Sequence, residues 1–150
     1  MAGLERAFTI TAAVEPAIEV GPTPLGERRL IPITGGTVAG PRLSGIILPG
    51  GTDYQLVRDA GLAEIHARYV IEAPNGARIY VENTGIRRGP PDLIARLRRG
   101  EPVDAAQIYF RTVPRFETVA PEHAWLMRSL FLCAGTRHPD RVVLDVYEVT

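Results

Sequence analysis

The most constraining stretch of this sequence is residues 65–83, two alternating segments joined by Glu72-Ala73-Pro74-Asn75-Gly76-Ala77-Arg78. A three-residue loop with Gly76 in the left-handed conformation sets the register of a β-hairpin. It pairs Glu72 with Arg78, Ile71 with Ile79, Tyr69 with Val81 and Arg68 with Glu82. The charge pairs and the aliphatic pair favour this register over a slip of one residue. One face then carries Ile65, Ala67, Tyr69, Ile71, Ile79, Val81 and Asn83. The other carries His66, Arg68, Val70, Glu72, Arg78, Tyr80 and Glu82. The apolar face must be buried. The polar face admits two readings: a solvated outer wall, or the lining of a barrel that encloses a ligand.

The rest of the chain repeats the theme. Short apolar, β-branched segments cover residues 8–14, 29–34, 42–48, 54–57, 107–113, 125–134 and 142–149, beside the hairpin strands 65–72 and 77–83. The 15 Gly and 13 Pro residues fall largely between them. About nine short strands bounded by turn residues predict an all-β barrel or sandwich. One helix is expected over 91–99. Pro90-Pro91-Asp92 opens it, Leu93, Ile94 and Leu97 give it an apolar stripe, and Arg96, Arg98, Arg99 and Gly100 close it. No repeat or linker divides the chain, so residues 1–150 read as one domain.

Charge and cysteine usage exclude several chemistries. Seventeen basic residues balance seventeen acidic ones, which argues against a nucleic-acid partner. Every basic residue is Arg; without Lys there is no Schiff base and no P-loop lysine. The single Cys133 excludes an internal disulfide and multi-Cys metal sites. His66, His123 and His138 follow no zinc-binding spacing, and no cofactor or metal is expected. No apolar run spans a bilayer, and the first residues lack the apolar core of a signal peptide. A cytoplasmic protein without a membrane partner is expected.

The remaining polar candidates each have a plain alternative. His66, within a strand, could act as a general base near neutral pH, or be structural. Asp53 follows Pro49-Gly50-Gly51-Thr52 as an acid at a strand mouth, or bonds its own turn. Arg111 could hold an anionic oxygen of a ligand, or pair with a local acid such as Glu117. Cys133, within Leu130-Phe131-Leu132-Cys133-Ala134, reads as core. Ser129 has no nucleophile elbow around it.

Several linked motifs carry a resemblance. They are Pro22-Thr23-Pro24-Leu25-Gly26, the run Ile31-Pro32-Ile33-Thr34-Gly35-Gly36-Thr37-Val38-Ala39-Gly40-Pro41, and Leu48-Pro49-Gly50-Gly51-Thr52-Asp53-Tyr54. Later come Tyr109-Phe110-Arg111-Thr112, Pro114-Arg115-Phe116-Glu117-Thr118, Ala124-Trp125-Leu126 and Val146-Tyr147-Glu148-Val149. In this order they resemble, over nearly the whole chain, a family of small β-barrel proteins catalogued as a domain of unknown function. The resemblance implies a single lipocalin-like or streptavidin-like antiparallel barrel, often oligomeric, and no established reaction. The family commonly has Asp-Trp in place of Asp53-Tyr54, Asp in place of His66 and Asn in place of Met127. Its recurrent acid at position 66 beside Arg68 tips the hairpin expectation: His66, Arg68, Tyr80 and Glu82 would face the barrel interior.

Two functions fit. The first is a cofactor-free isomerase, cyclase or lyase acting on a small, partly apolar carbonyl or phenolic metabolite. Asp53 or His66 would move the proton, Arg111 or Arg68 would stabilise an enolate or phenolate, and Tyr54, Tyr109, Phe116 and Trp125 would wall the pocket. The second is a non-catalytic carrier for a small hydrophobic ligand. A homo-oligomeric scaffold without a pocket is a plainer third.

Overall fold

The computed structural model describes residues 1–150. Its strands, in chain order, are β1 (Leu4–Val14), β2 (Ile18–Thr23), β3 (Gly26–Ala39), β4 (Gly45–Ile47), β5 (Gly51–Asp59), β6 (Leu62–Glu72), β7 (Arg78–Arg88), β8 (Tyr109–Glu117), β9 (Phe131–Arg137) and β10 (Arg141–Val149). One α-helix, α1 (Pro91–Arg98), lies between β7 and β8. Eight strands close an antiparallel barrel in the order β1-β10-β9-β8-β7-β6-β5-β3, with β3 returning to β1. The two extra strands are β2, which pairs with the first half of β3, and β4, which bridges β3 and β6. Closure leaves an interior that side chains must fill, and successive residues of each strand alternate between inside and outside.

β3 holds the barrel shut. Glu27 to Ile33 pair with β5, and Ile33 to Ala39 pair with β1. The strand changes partners near Gly35-Gly36. Gly36 has a φ of 140°, and a Cβ there would stand 2.1 Å from the Thr11 carbonyl oxygen, so only glycine fits.

The hairpin register agrees with the sequence at all four expected pairs, and Gly76 takes a φ of 87° in the turn. Its orientation differs from the expectation. Ile65, Ala67, Tyr69, Ile71, Ile79, Val81 and Asn83 are buried, while His66, Arg68, Tyr80 and Glu82 stand on the outer wall. An eight-stranded barrel needs its apolar set inside, and turning it outward would leave seven side chains of the core in water.

Other boundaries shift. β2 escapes sequence reading because Gly21 and Pro22 interrupt its alternation just after Pro16. The apolar run predicts one strand over 125–134. Instead Pro121–Met127 forms a 3-10 helix and β9 begins only at Phe131. Pro121 starts that turn, and it carries Trp125 and Leu126 across the barrel end. The α-helix falls where predicted, opens on Pro91 and buries Ile94 and Leu97. No helix is long and apolar enough to cross a membrane.

The interior divides into two halves. At the end away from α1, Phe8, Phe116, Phe131 and Trp125 form an edge-to-face cluster with ring centroids 5.3 to 6.4 Å apart. Arg42 stacks on Trp125 at 4.0 Å and covers it from outside. The half beneath α1 is where polar side chains enter the core.

Candidate functional site

In the α1 half the barrel encloses a cavity of about 50 Å³. Apolar walls come from Ala12, Ile31, Ile33, Ile65, Ala67 and Leu144. Into it point Asp53 of β5, Tyr69 of β6, Asn83 and Arg87 of β7, Thr112 of β8 and Arg137 of β9. Strand alternation puts them there: each occupies an inward position of its own strand, two residues from the next inward side chain, as Asp53 is from Gln55 and Thr112 from Phe110.

Asp53 is 8% exposed and already holds two hydrogen bonds. Its Oδ1 accepts the backbone N–H of His66 at 2.9 Å. Its Oδ2 accepts from Gln55 Nε2 at 3.3 Å. The β5–β6 ladder runs from Thr52↔Arg68 to Asp53↔Ala67 and resumes at Leu56↔Glu64, so a side-chain carboxylate takes an N–H in the gap. Behind it Arg29 Nη1 donates to Gln55 Oε1 at 3.0 Å, and Arg29 Nε donates to Glu19 Oε1 at 2.9 Å. A continuous hydrogen-bonded file thus runs from Glu19 at the surface to Asp53 in the core.

Burial raises the Asp53 pKa above the usual carboxylate range, opposed by the His66 N–H and by the positive charge of Arg87. Arg87 is 5% exposed and forms no ion pair; its Nε has no hydrogen-bond partner. Burial, reinforced by Arg137, lowers its pKa to about 10, so it is charged at neutral pH. Arg137 is also lowered by burial, and it donates to the backbone oxygens of His138 and Arg141. Tyr69 Oη, Asn83 Oδ1 and Thr112 Oγ1 are likewise buried without partners. Buried polar atoms are normally satisfied, by protein or by water, so four orphans around one cavity make it the candidate site. Burial pushes the Tyr69 hydroxyl well above its usual pKa, which keeps it a proton donor. Nowhere do three or more His, Cys, Asp or Glu side chains group to hold a metal ion.

Of the residues singled out from sequence, Asp53 alone lines this cavity. The His66 ring is on the outer wall, 3.2 Å from Glu82 Oε1 and 3.3 Å from Arg68 Nη2. Tyr54 and Tyr80 are also outside, at 43% and 37% exposure. Tyr109 and Arg111 lie in an open surface depression with Arg88, whose guanidinium stacks on Tyr109 at 4.4 Å. Phe116 is buried, and Trp125 half-buried, in the aromatic cluster at the other end. For the outward residues the reason is alternation, since a residue beside an inward neighbour faces out, whereas Phe116 and Trp125 point inward at the wrong end of the barrel.

Tyr69, Asn83, Arg87, Thr112 and Arg137 were missed as site residues. Asn83 carried a signal, a polar side chain at an inward register position of an apolar face. Reading β7 through to residue 88 would have placed Arg87 on that same face, four residues on.

The comparisons with known proteins agree with this architecture. A family model described as "Protein of unknown function (DUF3237)" matches residues 2–149. The UPF0311 protein RPA1785 of Rhodopseudomonas palustris is 51% identical over 142 residues, covering 95% of this chain and 93% of that protein. Its crystal structure, described as a conserved protein of unknown function, superposes with a TM-score of 0.95 over 100% of this chain and 98% of that one. A β-barrel-like protein of Acinetobacter baumannii, 36% identical, gives a TM-score of 0.87 with 100% and 97% coverage. A protein described as an enzyme from Penicillium herquei, 20% identical, shares the fold at a TM-score of 0.74 with 99% and 95% coverage. Matched by that model from residue 2 to 149, and with about half its aligned residues identical to those of RPA1785, the chain belongs to the DUF3237 family, the UPF0311 proteins of unknown function.

Proposed function

We propose that the α1 half of the barrel is a cofactor-free acid–base site acting on a small, partly apolar carbonyl or phenolic metabolite. The observation that carries this reading is Asp53: a buried carboxylate of raised pKa, facing a cavity with unpartnered donors and acceptors. A raised pKa brings a carboxylate towards the range where it exchanges protons efficiently near neutral pH. The His66 N–H and Gln55 hold both its oxygens, so it meets the ligand in one orientation.

The other side chains fit complementary tasks. Tyr69 and Thr112 can donate to a carbonyl oxygen, and the positive field of Arg87 favours the enolate or phenolate left by proton removal. Asn83 Oδ1 can accept from a ligand hydroxyl. Isomerisation, cyclisation and elimination all begin with such a proton transfer. The Penicillium herquei protein, described as an enzyme, has the same fold, which is compatible with catalysis on this scaffold but assigns none.

A carrier role is the second reading, favoured by the preponderance of apolar side chains around the cavity. The two separate on exchange of carbon-bound hydrogen. In deuterated water, NMR should show accelerated exchange next to the carbonyl for some member of a panel of small ketones and phenols. Asp53→Asn should lower that rate by about 10²–10⁴-fold. Binding without exchange in the unsubstituted protein favours the carrier, and exchange that survives Asp53→Asn removes Asp53 from the chemistry.

A further inference from the structure

The cavity is small for the task. A cavity of about 150 Å³ admits a benzene ring, three times the volume beside Asp53. A metabolite of any size can therefore place only a head group there.

A second space lies directly beneath. A cleft of about 540 Å³ opens between α1, β5 and the β2–β3 hairpin, with Val57, Ala63, Pro91, Ile94 and Ala95 among its walls. The two linings are consecutive inward layers of the same strands. On β3 the cavity takes Ile31 and the cleft Arg29; on β5 they take Asp53 and Gln55; on β6 they take Ile65 and Ala63. Arg87 lines both. The partition between them is one layer in which the Arg29–Gln55 hydrogen bond and the Arg87 guanidinium, whose Nε has no hydrogen-bond partner, stand beside Ala63. Two guanidinium groups and an amide across the middle of a barrel do not pack as an apolar core, and Arg87 has no ion-pair partner to hold it there, Asp53 acting on it only as a more distant charge. The opposite end is filled by the aromatic cluster, so a ligand has one way in.

We propose that the cavity and the cleft are two compartments of one ligand channel entered beneath α1, and that its ligand is an amphipathic carbonyl compound. A small oxygen-bearing head sits at Asp53, Arg87 hydrogen-bonds to it at the junction, and an apolar body lies in the cleft. This rests on the reading of the interior as the ligand site and adds the size and shape of what it takes.

The probes are methyl ketones of rising chain length, from acetone to methyl heptyl ketone, titrated against the protein and followed by NMR. Affinity should rise about fourfold for each methylene that leaves water, until the cleft is full. Ala95→Trp, or Val57→Trp from the facing wall, should flatten the series to the affinity of its short members. Asn83→Leu, which alters only the inner compartment, should weaken every member by a similar factor. A flat series in the unsubstituted protein overturns the channel, while deuterium exchange of acetone and butanone still decides the acid–base reading. A rising series indifferent to Asn83→Leu puts the whole ligand in the cleft and also overturns it. So does a rising series unaffected by both tryptophans.

Discussion

The Asp53 carboxylate accepts the backbone N–H of His66 at 2.9 Å, while the His66 ring lies on the far side of the barrel wall. The two residues are joined across β5 and β6, but by main chain on one side and side chain on the other. Their chemistries are therefore separable, and each can be removed alone.

Removing the Asp53 charge should stabilise the protein at neutral pH. Burial raises the folded-state pKa above that of the unfolded chain. The native state then binds its proton more tightly, and stability declines as pH rises from the ordinary carboxylate range through the folded value. Asp53→Asn lacks this decline; its Oδ1 can still accept the His66 N–H, whereas its Nδ2 cannot accept from Gln55 Nε2, a loss that does not vary with pH. Denaturant midpoints should show the variant gaining on the parent as pH rises to neutrality and losing that gain on acidification. A variant that gains on the parent in acid instead would contradict the burial argument.

Removing the His66 ring should do little. Its contacts with Glu82 and Arg68 are partly solvated, with both the His66 and Glu82 side chains about two-fifths exposed. Pairs of this kind contribute less than about 1 kcal/mol. His66→Ala should unfold within that margin of the parent and keep the same affinity for any ligand of the interior. A variant that folds but loses binding would bring the outer wall back as a site.

How far the sequence carried depends on what each signal encodes. The hairpin pairing was legible because charge and shape at Glu72–Arg78, Ile71–Ile79 and Arg68–Glu82 report register directly. Which face turns inward is set by closure of the whole barrel, and no single hairpin contains that information. The family's acid at position 66 suggested an inner role, but the outer wall also selects charge pairs. Asp53 was found because a lone acid among turn glycines stands out. Arg87 and Arg137 were not, since each follows residues that resemble the end of a strand, and long strands of a barrel continue past such ends.

Cys133 should be inert in the folded protein. It lies 1% exposed in the core, and burial pushes its thiol up to about 12. Thiolate, not thiol, is the reacting species. A disulfide-exchange reagent should leave it unmodified under native conditions and label one equivalent after unfolding. Fast native labelling would mean that β9 opens readily from the barrel.

Two glycines with positive φ should respond unequally to alanine. Gly76 closes the β6–β7 hairpin at a φ of 87°, and a Cβ there meets nothing within 4 Å. Gly76→Ala therefore carries only the backbone penalty, about 1–2 kcal/mol. Gly36 combines a φ of 140° with a Cβ position 2.1 Å from the Thr11 oxygen and 3.1 Å from the Ala12 Cα. Those atoms are main chain of β1, which cannot yield without parting the β1–β3 ladder that closes the barrel. Gly36→Ala should lose about 3 kcal/mol or more, read as a lower denaturant midpoint. Because the seam itself is strained, hydrogen exchange should quicken first at Thr9–Ala13 and Gly35–Ala39. Equal losses at the two positions would show that β1 and β3 can separate there at no cost, and that closure of the barrel depends on other strands.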